Sequence, residues 1–205
     1  MPAAKRISKE AIIDAAAAVL RTGGFEAINA RSVAKALGCS TQPIYLSFRN
    51  MEELKSALTQ RAIEQHTQRV RESLRAHEGC DSRYSSYGMG FVQFAAQEKQ
   101  LFRWLYLEDN QPGRHQEDVL EPEIIRTVMD EFGYDEVTAR AFHRDMTYYS
   151  YGLAILANTG HLALTETELR AAFRREFRAL AAYYGPPKKL PEFAKRENAV
   201  HQLFH

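Results

Sequence analysis

The sequence is short of several things, and each shortage removes a class of protein. Cysteine occurs twice in 205 residues, at Cys39 and Cys80. Two thiols cannot build a disulfide scaffold, and they fit a reducing cytosol. No apolar run approaches the ~18 residues of a membrane span, so no membrane association is expected. Lys5-Arg6 has no apolar stretch behind it, which argues against a secretory signal. Metal, nucleophile and phosphate-loop motifs are also missing: no HExxH, no paired CxxC, no GxSxG and no glycine-rich loop after a strand. Gly88-Met89-Gly90 lacks the further glycine such a loop needs. The seven histidines are scattered and read mostly as surface residues. Only His201 and His205 share an i,i+4 face. An enzyme is therefore not expected, nor a cofactor or metal. What is present, 45% hydrophobic and 26% charged residues, is the mixture of an ordinary globular chain long enough to bury a core.

Net charge is only +1, but it is unevenly spread. Residues 1–50 carry seven Lys/Arg against three acids, and the remainder carries twenty against twenty-three. A basic first quarter on an acidic remainder is the distribution of a nucleic-acid-binding module joined to one that does not bind.

Apolar residues recur at helical spacing almost throughout, and strand-like alternation is nearly absent. The chain is predicted to be all-α. Ser8 caps a first helix with Ile12, Ile13, Ala16, Val19 and Leu20 on one face, ended by Gly23-Gly24. Asn29 caps a second, reaching Leu37 and broken by Gly38. Ser40 is expected to cap a third, to about Ser47, through the Gln42 amide, with Pro43 at a position that needs no N–H. Asn50 and Glu53 form a capping-box pattern opening a fourth, to about Ala76. Further helices are placed at about 82–98, 99–109, 117–132, 135–158 and 166–184, with breaks at 110–113, 133 and 158–160. The division expected is 1–55, 56–185 and a tail over 186–205.

Residues 29–48 carry the functional signal. Two short helices are joined by a tight turn, with small Ala34 at the crossing and Gly38 where positive φ is wanted. Val33, Leu37, Ile44 and Phe48 fall inward. Ser40, Thr41, Gln42, Pro43, Tyr45 and Ser47 are left outward, a polar, uncharged face flanked by Arg31, Lys35 and Arg49. Such a helix fits the major groove and offers its side chains to base edges. A plain helical hairpin inside a bundle would show the same outline.

Residues 8–58 resemble the DNA-binding region of the tetracycline-repressor (TetR) family of bacterial transcription regulators. The likeness lies in Ile12-Ile13-Asp14-Ala15-Ala16, Gly24-Phe25, Arg31-Ser32-Val33-Ala34, Gly38-Cys39-Ser40, Ile44-Tyr45, Phe48 and Glu53-Leu54. Tyr151-Gly152-Leu153-Ala154 is weakly similar to the family's dimerisation region. The resemblance implies an N-terminal three-helix helix-turn-helix domain, followed by a helical bundle for ligand binding and dimerisation. It implies a cytoplasmic homodimer that grips a double-stranded DNA operator and answers to a small-molecule effector. Release from DNA is the commoner response in the family.

By the same resemblance Tyr45 contacts phosphate, Asn29 and Ser40 cap their helices beside the backbone, and Arg31 reaches a base or a phosphate. Thr41, Gln42 and Pro43 occupy the positions that read sequence. Where the family often has a phosphate-binding Lys, this chain has Met51, and Arg49 is the candidate replacement.

A dimer needs an apolar face away from the N-terminus. Leu169, Phe173, Phe177, Leu180 and Tyr184 recur along the last helix, and Tyr148, Gly152, Ile155 and Leu156 along the one before. The same stripes could instead close the protomer's core. For the effector pocket the aromatic-rich middle offers Tyr87, Phe91, Trp104, Met129 and Tyr148, against the alternative of a packed core. The rival to a regulator is a helical small-molecule-binding or interaction protein without specific DNA reading.

Overall fold

A computed structural model describes residues 7–75, 82–108 and 112–189. Among them every regular element is helical: α1 (Lys9–Gly23), α2 (Ala30–Leu37), α3 (Gln42–Ser47), α4 (Met51–Arg75), α5 (Arg83–Gln97), α6 (Lys99–Phe102), α7 (Pro112–Phe132), α8 (Glu136–Thr159) and α9 (Glu166–Tyr184). None of these helices is long and apolar enough to cross a membrane. Cys80 and residues 190–205 of the expected tail, with the His201/His205 pair, lie outside the described residues.

The contacts divide the chain into two compact units, Met1–His66 with Glu98–Gln116, and Thr67–Gln97 with Glu117–His205. This differs from the linear division at residue 55, because residues 98–107 pack with the N-terminal helices. In the first unit the Arg21 guanidinium donates to Glu98 at 3.0 Å. Trp104 stacks on Phe25 at 5.0 Å, and Lys55 Nζ lies 4.7 Å from the centroid of the Phe25 ring. Within 99–109, expected as one helix, Lys99–Phe102 form the short α6 and Arg103–Leu107 a π-helical turn that buries Trp104, Leu105 and Tyr106.

In the second unit α5 packs on α8 and α9. Its first turn is held by a carboxylate: Glu131 Oε1 accepts from the Arg83 amide at 2.9 Å and Oε2 from the Tyr84 amide at 3.0 Å. That pairing satisfies two of the amides a helix start leaves without partners. Phe132, Phe142 and Phe177 form an aromatic cluster, with centroids 4.9 to 5.9 Å apart. α7 begins at Pro112, earlier than expected, since proline needs no amide partner in a first turn. Residues 186–189 continue against the end of α7, where the Lys189 amide donates to the Phe132 carbonyl at 3.1 Å.

Candidate nucleic-acid interface and ligand cavity

The helix-turn-helix is assembled by local rules. Ser8 Oγ accepts from the Ala11 amide at 3.1 Å and opens α1. Asn29 Oδ1 accepts from the amides of Arg31 and Ser32 at 3.1 and 3.0 Å, while the Ser32 hydroxyl accepts from the Asn29 amide at 3.1 Å. The Asn29 side chain is thus spent on the helix start, the capping role the resemblance implies. Gly38 has φ +67°, ψ +33°, the left-handed turn for which a side chain would be strained.

The third helix departs from the expectation at its start. α3 begins at Gln42, follows Thr41, and has no side-chain cap. Ser40 is exposed and its hydroxyl does not bond the Gln42 amide; instead the Cys39 thiol donates to the Ser40 carbonyl at 3.2 Å. The reason lies in Thr41, whose helical backbone (φ −73°, ψ −14°) already belongs to the turn, so Ser40 is one residue too early to cap. Pro43 consequently sits at the second helical position.

Ile44 and Phe48 anchor the helix, at 1% and 2% exposure. Gln42 and Tyr45 are exposed, and Thr41, Pro43 and Ser47 half-buried. Leu46 is 80% exposed, an apolar member of this outer face that the sequence reading passed over. Its signal was the helical arc it shares with Tyr45, opposite the Ile44–Phe48 pair.

Arg31 is exposed beside this face. The Arg49 side chain is 90% exposed and its Nε donates to Glu53 Oε2 at 3.1 Å. Asn50 Oδ1 accepts from the Glu53 amide as the capping pattern requires, but the returning Glu53 carboxylate takes the Arg49 amide at 2.9 Å. The Arg49 amide and guanidinium hold the Glu53 carboxyl below its ordinary pKa. Glu53 thereby orients Arg49 from one edge.

In the second unit, α5, α8 and α9 enclose a narrow chamber, and an open basin of about 200 Å³ adjoins it. Tyr87, His143 and Thr147 belong to the walls of both. Of the five pocket candidates, Tyr87 and Phe91 line the chamber, and Tyr148, 68% exposed, lines the basin. Trp104 belongs to the first unit, stacked on Phe25, and Met129 lines neither space.

His143, Met146, Ser150 and Phe173 complete much of the chamber without having been candidates. His143 is not a free surface histidine: it is half-buried, with Nδ1 2.8 Å from the Tyr84 hydroxyl. Burial holds its pKa down from 6.5 to about 4. A base with a depressed native pKa destabilises the fold once the unfolded chain takes up a proton that the native one refuses. Stability should therefore be full above pH 6.5 and fall as pH drops toward 4. The loss is on the order of 3 kcal/mol. Urea denaturation at pH 7 and pH 4.5 tests this, since His143→Gln should lose markedly less between the two.

Three of the expected dimer residues prove to be internal. Leu169, Phe173 and Phe177 are 3%, 3% and 7% exposed. Phe173 meets Tyr149 edge-on and leans on Gly88, where an added Cβ would fall 2.7 Å from its ring. A side chain consumed by the protomer's own core cannot face a partner. Leu180 is half-buried, while Gly152 and Ile155 are on the surface.

Comparison with known proteins agrees with this geometry. Residues 12–58 match the family of bacterial regulatory proteins of the tetR type. No curated protein matches the chain. Among solved structures, a protein of Pseudomonas aeruginosa PAO1 named as a transcriptional regulator superposes with a TM-score of 0.60 at 16% identity, over 85% of this chain and 90% of its own. A TetR-family regulator of Mesorhizobium loti MAFF303099 gives 0.59 at 14% identity, over 85% and 95%. SmeT, the repressor of the Stenotrophomonas maltophilia multidrug efflux pump SmeDEF, gives 0.53 at 16%, over 90% and 96%. At these identities the likeness is one of fold. With the match over residues 12–58, and with α3 presenting Gln42, Tyr45 and Leu46 outward from the Ile44–Phe48 anchor, residues 12–58 form a DNA-binding domain of the tetR type, and the chain that carries it is a DNA-binding transcription regulator.

Proposed function

We propose that the protein is a cytoplasmic, ligand-responsive repressor that binds a double-stranded operator as a homodimer. The observation that carries the reading is the exposed outer face of α3 on its buried anchor. Thr41, Gln42 and Pro43 read base edges. Tyr45, Ser47, Arg31 and Arg49 lie against the phosphates, with Asn29 and Ser40 close to the backbone. Base contacts set specificity, whereas phosphate contacts set affinity and its salt dependence.

One short helix makes few contacts, and a two-fold pair reading two half-sites makes up the deficit. A surface for that pairing is available on α8. Tyr148, Gly152, Ile155 and Leu156 are all exposed at i, i+4, i+7 and i+8, and among the described residues nothing lies within 4 Å of a Cβ added at Gly152. Leu180 of α9 contributes the side it leaves uncovered. The cavity of the second unit supplies the place for an effector. Binding there shifts the protein only by its preference for one conformation over the other, with couplings of about 1–3 kcal/mol typical.

Gel-shift titration on genomic fragments at several salt concentrations tests the reading. One tight site should survive as salt rises. Weak binding, uniform over all fragments, would instead favour a binding protein without sequence reading. Arg49→Ala should weaken every fragment alike and flatten the salt slope by about one unit. Gln42→Ala should lower the preferred site alone by about 1–3 kcal/mol. An unchanged slope in Arg49→Ala removes that residue from the interface.

A further inference from the structure

The chamber and basin carry enough chemistry to name what kind of molecule they take. This inference rests on the reading that the second unit holds the effector site. Among the described residues, none that lines the chamber is charged apart from the titratable His143. The Tyr84 hydroxyl is buried and, among the described residues, its one hydrogen-bond partner is His143 Nδ1 at 2.8 Å. A buried phenolic proton without an acceptor is costly, so the hydroxyl donates to Nδ1. That fixes the tautomer with hydrogen on Nε2, and Nε2–H is the donor His143 has left for a guest. The low pKa of the ring agrees, since the imidazole is neutral at physiological pH. The hydroxyls of Thr147 and Ser150 donate to the carbonyls of His143 and Met146 at 2.8 Å each, so toward a guest they act as acceptors.

Size and shape narrow the class further. The chamber alone has a volume of about 20 Å³, room for roughly one water. It is pinched where Phe173 rests against the bare backbone of Gly88. A slot closed by one ring edge admits a flat guest that takes that ring's place. The adjoining basin is walled by Arg140 and Arg144, but both are already paired. Arg140 meets Glu121 and Glu136 at 2.8 Å each, and Arg144 meets Asp145 at 3.1 Å. Their charge is thus already compensated by neighbouring carboxylates, so an anionic guest gains little net attraction there and still loses its own water.

We propose that the effector site is built for an uncharged, flat aromatic molecule carrying a hydrogen-bond acceptor such as a carbonyl. The ring enters the slot between α5 and α8, and the acceptor meets His143 Nε2–H where chamber and basin join.

Three probes of nearly equal size test this on the full-length protein by calorimetry without DNA: acetophenone, ethylbenzene and benzoate. Acetophenone should bind about 3–10-fold more tightly than ethylbenzene, the worth of one neutral hydrogen bond. Benzoate should bind weakest. His143→Leu should erase the acetophenone preference, and His143→Gln, which keeps an N–H donor, should restore part of it. If His143→Leu does not fold, the order of the three probes on the native protein and on His143→Gln decides. Benzoate binding tightest, a preference that survives in His143→Leu, or no binding of any probe would overturn the proposal. Operator binding measured alongside separates the two readings. Acetophenone binding in the expected pattern without release of DNA upholds the chemical class and refutes ligand-responsive regulation. Loss of all probe binding with operator binding intact does the reverse for the class and leaves the regulator standing.

Discussion

Gly152→Arg is expected to turn the protein into a folded monomer that no longer holds its operator. Gly152 lies on the exposed side of α8, and among the described residues nothing approaches a Cβ built there. Within the protomer the change should cost nothing. Replacing a helix-interior glycine gains about 0.5–1 kcal/mol of helix stability. In a pair, by contrast, a glycine flanked by exposed Tyr148, Ile155 and Leu156 is where two helices can come close, and an arginine there separates them. Sedimentation should show the monomer mass at micromolar concentration with the circular dichroism of helix unchanged. Operator affinity should fall on the order of 10³-fold, toward the non-specific range, since each protomer then reads one half-site alone. A variant that remains dimeric and binds normally would move the interface elsewhere on the molecule.

The second large effect separates the two sides of α3. Phe48→Ala removes a ring that is 2% exposed and lies under the Lys9 ammonium, 4.7 Å from its centroid. The expected cost is about 3–5 kcal/mol, and Ile44→Ala should cost about 2–5 kcal/mol. Either loss is a large part of a typical domain's stability, so operator binding should fail together with the fold. Leu46→Ala and Tyr45→Phe, on exposed residues, should stay within about 0.5 kcal/mol in urea denaturation yet weaken operator binding. Should Leu46→Ala prove as destabilising as Phe48→Ala, α3 would be a core helix and the DNA-reading face would be lost.

The same contrast shows what kind of information the residues carry. Asn29, Gly38 and the Ile44–Phe48 pair could be read from the chain because they act over one or two turns. A cap needs a short polar side chain at one place, and a left-handed turn needs a glycine. Even so, a one-residue shift in where the third helix starts moved Ser40 out of the capping position, since the backbone of Thr41 was not legible from its side chain. The exposure of Leu46 was implied by the same helical spacing that buried its neighbours.

The pocket and the dimer face were far less legible. Periodicity says that Leu169, Phe173 and Phe177 share a stripe, but it is silent on whether the stripe meets the chain's own core or another copy. Here α9 turns it inward, and the surface is left to Tyr148, Gly152 and Ile155 of α8. Trp104 was one aromatic among many until residues 98–107 joined the first unit beside Phe25.

By itself, then, the sequence determined most of the helices, the Ser8 and Asn29 caps, the turn at Gly38 and the family likeness of residues 12–58, all written in local side-chain chemistry. Tertiary structure alone decided that His143 would pack against Tyr84, 59 positions away, and that Glu98 would bind Arg21 at a separation of 77. Such pairs depend on how helix faces choose one another, and that choice is made by the packing of the whole chain, which no single segment specifies.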